Sequence, residues 1–145
     1  MAVEKITVAV ELLEQALRLF YEESYFAALH LAGAAEELLG AHLRALGAQS
    51  SFDNYRTAGV ELANAIDSEA SITRRDMEGL LNDAKNRTKH MNSAEDGLIQ
   101  FDPADEARGL LDRAVTDYYH LMRYLPLVEL PLVAHFNREI LERRA

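Results

Sequence analysis

Residues 24–46 read SYFAALHLAGAAEELLGAHLRAL, and this stretch decides the fold. Ala28, Leu29, Leu31, Ala35, Leu38, Leu39 and Leu43, with the alanines between them, point in most directions around a helix axis, so this helix has to be surrounded by others. Gly33 and Gly40 each cost helix propensity of about 1 kcal/mol relative to Ala, a penalty tolerated where another backbone approaches closely. Gly47 supplies the C-terminal stop.

Working outward, apolar residues recur at helical spacing almost everywhere, and no stretch alternates with period two for long enough to suggest a sheet. A first helix over about 3–22 places Ile6, Val10, Leu13, Leu17 and Phe20 on one stripe. A third over about 52–68 is expected to bury Phe52, Tyr55, Leu62 and Ile66. A fourth opens on a Thr73 cap with Asp76 three residues on and Ile72 placed to staple onto Met77; its stripe is Met77, Leu80, Leu81, Ala84, Thr88 and Met91. The polar run 92–97 ends it. Asp102 followed by Pro103 caps a fifth helix that runs to about Tyr124 on Ala107, Leu111, Ala114, Tyr118, Leu121 and Leu125. Pro126 stops it, and Pro131 opens a last helix carrying Leu132, Phe136 and Ile140. The expected fold is all-α, an antiparallel bundle of five to six helices in a single domain spanning 1–145.

At 145 residues the chain is long enough to bury about two-thirds of its unfolded surface without a disulfide or metal staple. With no Cys it has no thiolate nucleophile, iron–sulfur cluster or Cys-type zinc site. The N-terminus lacks the uncharged apolar run of a signal peptide, and no run approaches the roughly 20 apolar residues of a membrane span. The expected setting is the cytoplasm, with no membrane partner. No Glu has a His three residues later, as di-iron bundles require; His30 and Glu37, seven apart, could share a helix face with His42, His120 and His135 gathered from other helices, but the four histidines read as polar tips at the edge of the core, so no metal and no cofactor is expected. Phosphate-loop and nucleophile-elbow motifs are also missing. Tyr118 and Tyr119, with His120, read as core aromatics with polar ends; the alternative is a platform for stacking bases.

The net charge of -9 argues against general attraction to nucleic acid. It is, however, unevenly spread: residues 73–90 hold five Lys or Arg against three acids, a balance of +2, which leaves -11 on the rest. Residues 85–90 read Lys-Asn-Arg-Thr-Lys-His. As a solvated helix face, Asp83 and Arg87 form an i,i+4 pair and the cations complement the helix dipole. As a site, Lys85 and Lys89 flank one side of the helix, with Asp83, Arg87 and His90 on the other. Lys85 and His90 converge only if the helix ends near His90 or a second chain supplies the missing half.

Lys85-Asn86-x-x-x-His90 resembles the Arg-x4-6-His motif of the HEPN superfamily of small helical proteins, and the Ala-rich stretch from Tyr25 to Leu39 resembles the core helix that precedes it. The segment Ala84–His90 with its acidic loop and Asp-Pro is also similar to uncharacterised small bacterial proteins. The resemblance implies a homodimer with two motifs around one cleft, acting as a metal-independent ribonuclease or as a non-catalytic nucleotide, RNA or protein binder. It implies a catalytic role for His90 on a ribose 2′-hydroxyl, with Lys85 steadying the phosphate beside Asn86; Arg87 and Lys89 complete the expected binding set. Lys in place of the family's Arg replaces a planar fork by a point charge, which spares binding more than catalysis. The expected function is thus a nucleotide- or RNA-phosphate-binding site at the end of the fourth helix. The alternatives are a protein-interaction bundle and a toxin-like ribonuclease. Leu127, Val128, Leu130, Leu132 and Val133 supply apolar surface suited to a dimer.

Overall fold

Capping chemistry at three helix starts sets the frame of the computed structural model, which describes residues 1–69 and 71–145. Ser50 and Asp53, and Thr73 and Asp76, close reciprocal capping boxes, while Asp102 accepts from the backbone N–H of Ala104 and Asp105 ahead of Pro103. Among the described residues six α-helices follow in order: α1 (Lys5–Tyr21), α2 (Tyr25–Ala45), α3 (Ser51–Ile66), α4 (Arg74–Lys89), α5 (Pro103–Leu121) and α6 (Pro131–Arg144). The 92–97 loop holds one 3-10 turn, Ala94–Asp96, and the described residues contain no strand. The chain is an all-α bundle. None of its described helices is long and apolar enough to cross a membrane.

The centre is α2, packed along α1 on one side and α5 on the other, with α6 closing against both partners. Leu29, Ala32, Ala35, Leu39 and Leu43 of α2 have no accessible surface, and neither do Leu13 and Leu17 of α1 or Leu111 and Ala114 of α5. Each buried Leu contributes about 1.5–3 kcal/mol, and alanine between the leucines lets two neighbours close on α2 at once. Gly47, in the left-handed region at φ 80°, turns the chain out of α2. The aromatics at 118 and 119 belong to the frame: Tyr118 is buried and donates to the Val128 carbonyl, and Tyr119 donates to Glu129, so both tie down the 122–130 connection.

Three expectations need correction. Tyr55, Leu62 and Ile66 are 48, 62 and 78% exposed, and Phe52 is half-buried, because the face that α3 turns to the body is polar. Counted at 100° per residue from Gly59, which meets Met77 of α4, these three lie within about 60° on one flank, while Phe52, Arg56 and Asp53 lie on the other. In α4, Leu80 is 68% exposed on the matching outer edge, and Met91 lies beyond the helix in solvent, leaving Ala84 as the deeply buried member of the stripe. The fifth helix ends at Leu121 and the next residues continue only as a turn, so Leu125 is reached through its N–H to the Leu121 carbonyl.

Candidate functional site: the α4 end and the polar seam behind it

The helix does end where the motif needs it to, since His90 is the C-cap of α4 with extended backbone. Its N–H still donates to the Asn86 carbonyl. Asn86, Arg87 and His90, all exposed, border one open groove of about 400 Å³ with Asn92 and Asp96 of the following loop. Arg87 pairs with Asp83 at 2.9 Å, and within the following loop Asp96 accepts from the Asn92 N–H at 3.3 Å. The groove thus offers an amide, a guanidinium and an imidazole on one wall and a carboxylate on the other.

Lys85 is elsewhere. It is 8% exposed, and its ammonium donates to Glu37 of α2 at 2.8 Å rather than flanking the solvent side of α4. Its aliphatic stem crosses α2 at Gly33, where an added Cβ would lie 2.3 Å from Lys85 Cδ. The approach that Gly33 accommodates is therefore a side chain, and at Gly40 it is likewise the Ser50 side chain. One turn on, Thr88 Oγ1 lies 2.7 Å from His30 Nε2. Burial, together with the charges of Lys89 and Lys85, holds His30 below the usual imidazole range. Lys89 itself is exposed. Within one chain the five expected site residues divide: Asn86, Arg87 and His90 share the groove, whereas Lys85 is committed to α2 and Lys89 borders neither cavity wall.

Behind α4 lies a polar seam that the sequence reading missed. Glu36, 3% exposed, accepts from Arg113 Nε of α5, and Asp117, 1% exposed, accepts from the Ser51 N–H at 2.7 Å. Burial pushes the Asp117 carboxyl up to about 6, against the Ser51 hydrogen bonds and helped by the Glu36 charge. Arg113 Nη2 and Asp117 Oδ2 find no hydrogen-bond partner among the described residues. The Phe52 ring faces the guanidiniums of both Arg56 and Arg113 at 5.9 Å. Asp53 is buried, which alone would raise its pKa, but the Ser50 N–H and hydroxyl and the Arg44 charge hold its carboxyl below the usual range.

Comparison with family models, curated proteins and solved structures finds no match for this chain. The site therefore has to be read from its own chemistry. One signal for the seam was present in the sequence: a carboxylate at Glu36 inside a helix that is apolar all round has to be buried and paired. Its partner Arg113, 77 positions away, and the neighbouring seam carboxylate Asp117, 81 positions away, carry no local pattern that announces them. Among the described residues no three metal-binding side chains gather into a metal-holding group.

Proposed function

We propose that this chain is a HEPN-like, phosphate-directed binding bundle whose groove at the end of α4 takes a nucleotide or an RNA phosphate. The observation that carries the reading is that Asn86, Arg87 and His90 border the same open groove, at the end of a segment, 73–90, whose balance is +2 in a chain of net charge -9. Arg87 supplies the fork that fits phosphate, and Asn86 and His90 supply further polar contacts. The C-terminal end of the α4 dipole opposes an anion there by about 0.3–1 kcal/mol, so side chains carry the binding, and it is weak and salt-sensitive. In this reading Lys85 is a positioning residue that fixes α4 on α2. The resemblance behind it implies a homodimer, and the proposed setting is the cytoplasm.

Ribonuclease action requires Lys85 and His90 at one phosphate, and their divergence within a chain weighs against it. A protein-interaction role is favoured by a separate observation, the exposed Tyr55, Leu62, Ile66 and Leu80 on the outer flank of α3 and α4. The test is a titration of purified protein with mononucleotides and short single-stranded RNA at two salt concentrations, without metal, beside Arg87→Ala and His90→Ala. The expected result is saturable, salt-dependent binding that both variants weaken by about tenfold, with the RNA left intact. Cleavage abolished by His90→Ala would restore the ribonuclease reading. Absence of any affinity would leave the protein-interaction reading.

A further inference from the structure

About 24 Å from His90 along α4, at the start of that helix, a second cavity collects charge of the opposite sign to the protein as a whole. It is an open crevice of about 580 Å³ between the end of α2, the first turns of α3 and the first residue of α4. Its charged lining is Arg44, Arg56 and Arg74 against Asp53, with Glu78 bridging Arg56 from the adjoining cavity, so the cluster carries a balance of +1 in a chain of net charge -9. Thr57 and Gln49 add a hydroxyl and an amide.

The three arginines are not equally engaged. Arg56, with its side chain 14% exposed, bridges Asp53 at 3.3 Å and Glu78 at 2.8 Å and is fixed in place. Arg44 is half-exposed and reaches Asp53 and the Ser50 hydroxyl only at 3.3–3.5 Å, long contacts that release at little cost. Arg74 is exposed and forms no ion pair with any described residue. Two guanidiniums free to turn inward therefore flank a third that is rigid, and Asp53 is already neutralised by its own cap and by its two arginines. Planar forks of this kind match the oxygen spacing of phosphate and carboxylate, and several around one cavity favour a ligand carrying more than one such group.

We propose that this crevice is a binding site for a small polyoxyanion, a compound carrying two or more phosphate or carboxylate groups, held chiefly by Arg74 and Arg44 with Arg56 as the fixed contact. The site is separate from the groove at the other end of α4 and does not depend on what that groove does.

The test is calorimetric titration of the full chain with inorganic pyrophosphate and, separately, with citrate, at ionic strength held constant by chloride. Saturable binding of at least one is expected, and the tighter of the two identifies the source of the oxyanion. Arg74→Ala should weaken it by about tenfold or more, and Arg74→Lys should recover part of the loss. Because Arg74 is exposed and forms no ion pair with a described residue, these variants should keep the wild-type melting temperature, so lost binding is not lost folding. Arg87→Ala, which alters the other groove, should leave pyrophosphate binding unchanged. No binding by the wild type, binding undiminished in Arg74→Ala, or binding lost in Arg87→Ala instead would each overturn the proposal.

Discussion

The body formed by α1, α2, α5 and α6 and the hairpin formed by α3 and α4 are both made of amphipathic helices, yet they are held by opposite chemistry. In the body, apolar side chains face inward and the core residues Leu13, Leu29, Leu39, Leu111 and Phe136 are shut off from water. In the hairpin the inward face is largely ionic and hydrogen-bonded, through Lys85 to Glu37 and Ser51 to Asp117, with Arg56 joining Asp53 and Glu78 within the hairpin; Phe52 is half-buried, while Tyr55, Leu62, Ile66 and Leu80 face outward. Apolar burial is non-directional and summed over area, so the body tolerates small shifts. Buried ionic contacts are worth little net but expensive to break, so they fix where the hairpin sits more than how stable the chain is.

That comparison can be tested at three depths. The largest effect is expected in the body: Leu111→Ala, at a site with no accessible surface, should cost about 2–5 kcal/mol, read as a fall in denaturation midpoint with unchanged slope. A loss below about 1 kcal/mol would show that the body does not depend on this packing.

Next comes the seam. With Asp117 raised to about 6 in the folded chain and near 3.9 unfolded, the folded state binds more protons between those values. Its contribution is therefore fully present below about pH 4 and is lost as the pH rises through 6. Asp117→Asn keeps an acceptor for the Ser51 N–H and removes the titration. The variant should match the wild type near pH 4 and exceed it by up to about 3 kcal/mol at pH 7. A difference that does not change with pH would mean that Asp117 is not held this way.

The smallest effect is expected on the outer flank, where Leu62→Ala and Leu80→Ala should each change monomer stability by no more than about 0.5 kcal/mol by thermal denaturation, because both side chains are already in water. Loss of several kcal/mol at either position would mean that this flank is covered in solution.

Much of the fold was legible along the chain because helix starts are local events. Thr73 with Asp76, and Asp102 with Pro103, announce their helices within four residues, and the structure places α4 and α5 behind them. The all-round apolar character of residues 24–46 likewise marks α2 as central, since only a helix packed on several sides can carry it. Burial in α3 was not legible. Periodicity shows that Tyr55, Leu62 and Ile66 share a flank but not which flank meets the body, and here the polar flank wins because Glu36, Arg113 and Asp117 wait beneath it. Of the candidate site, the grouping of Asn86, Arg87 and His90 follows from their closeness in sequence at a helix end. The direction of Lys85 does not, because it is set by a slot at Gly33, 52 residues earlier, and by a carboxylate at Glu37.

The sequence by itself determined the helices, their order, the central place of α2 and the positive character of one segment, because caps, periodicity and charge are written in neighbouring residues. Tertiary structure alone decided which charges meet. Arg44, Arg56 and Arg74 come together in one crevice, and Lys85 and His90 part, because helix packing rather than spacing along the chain brings distant side chains within the few ångströms over which ion pairs and hydrogen bonds act.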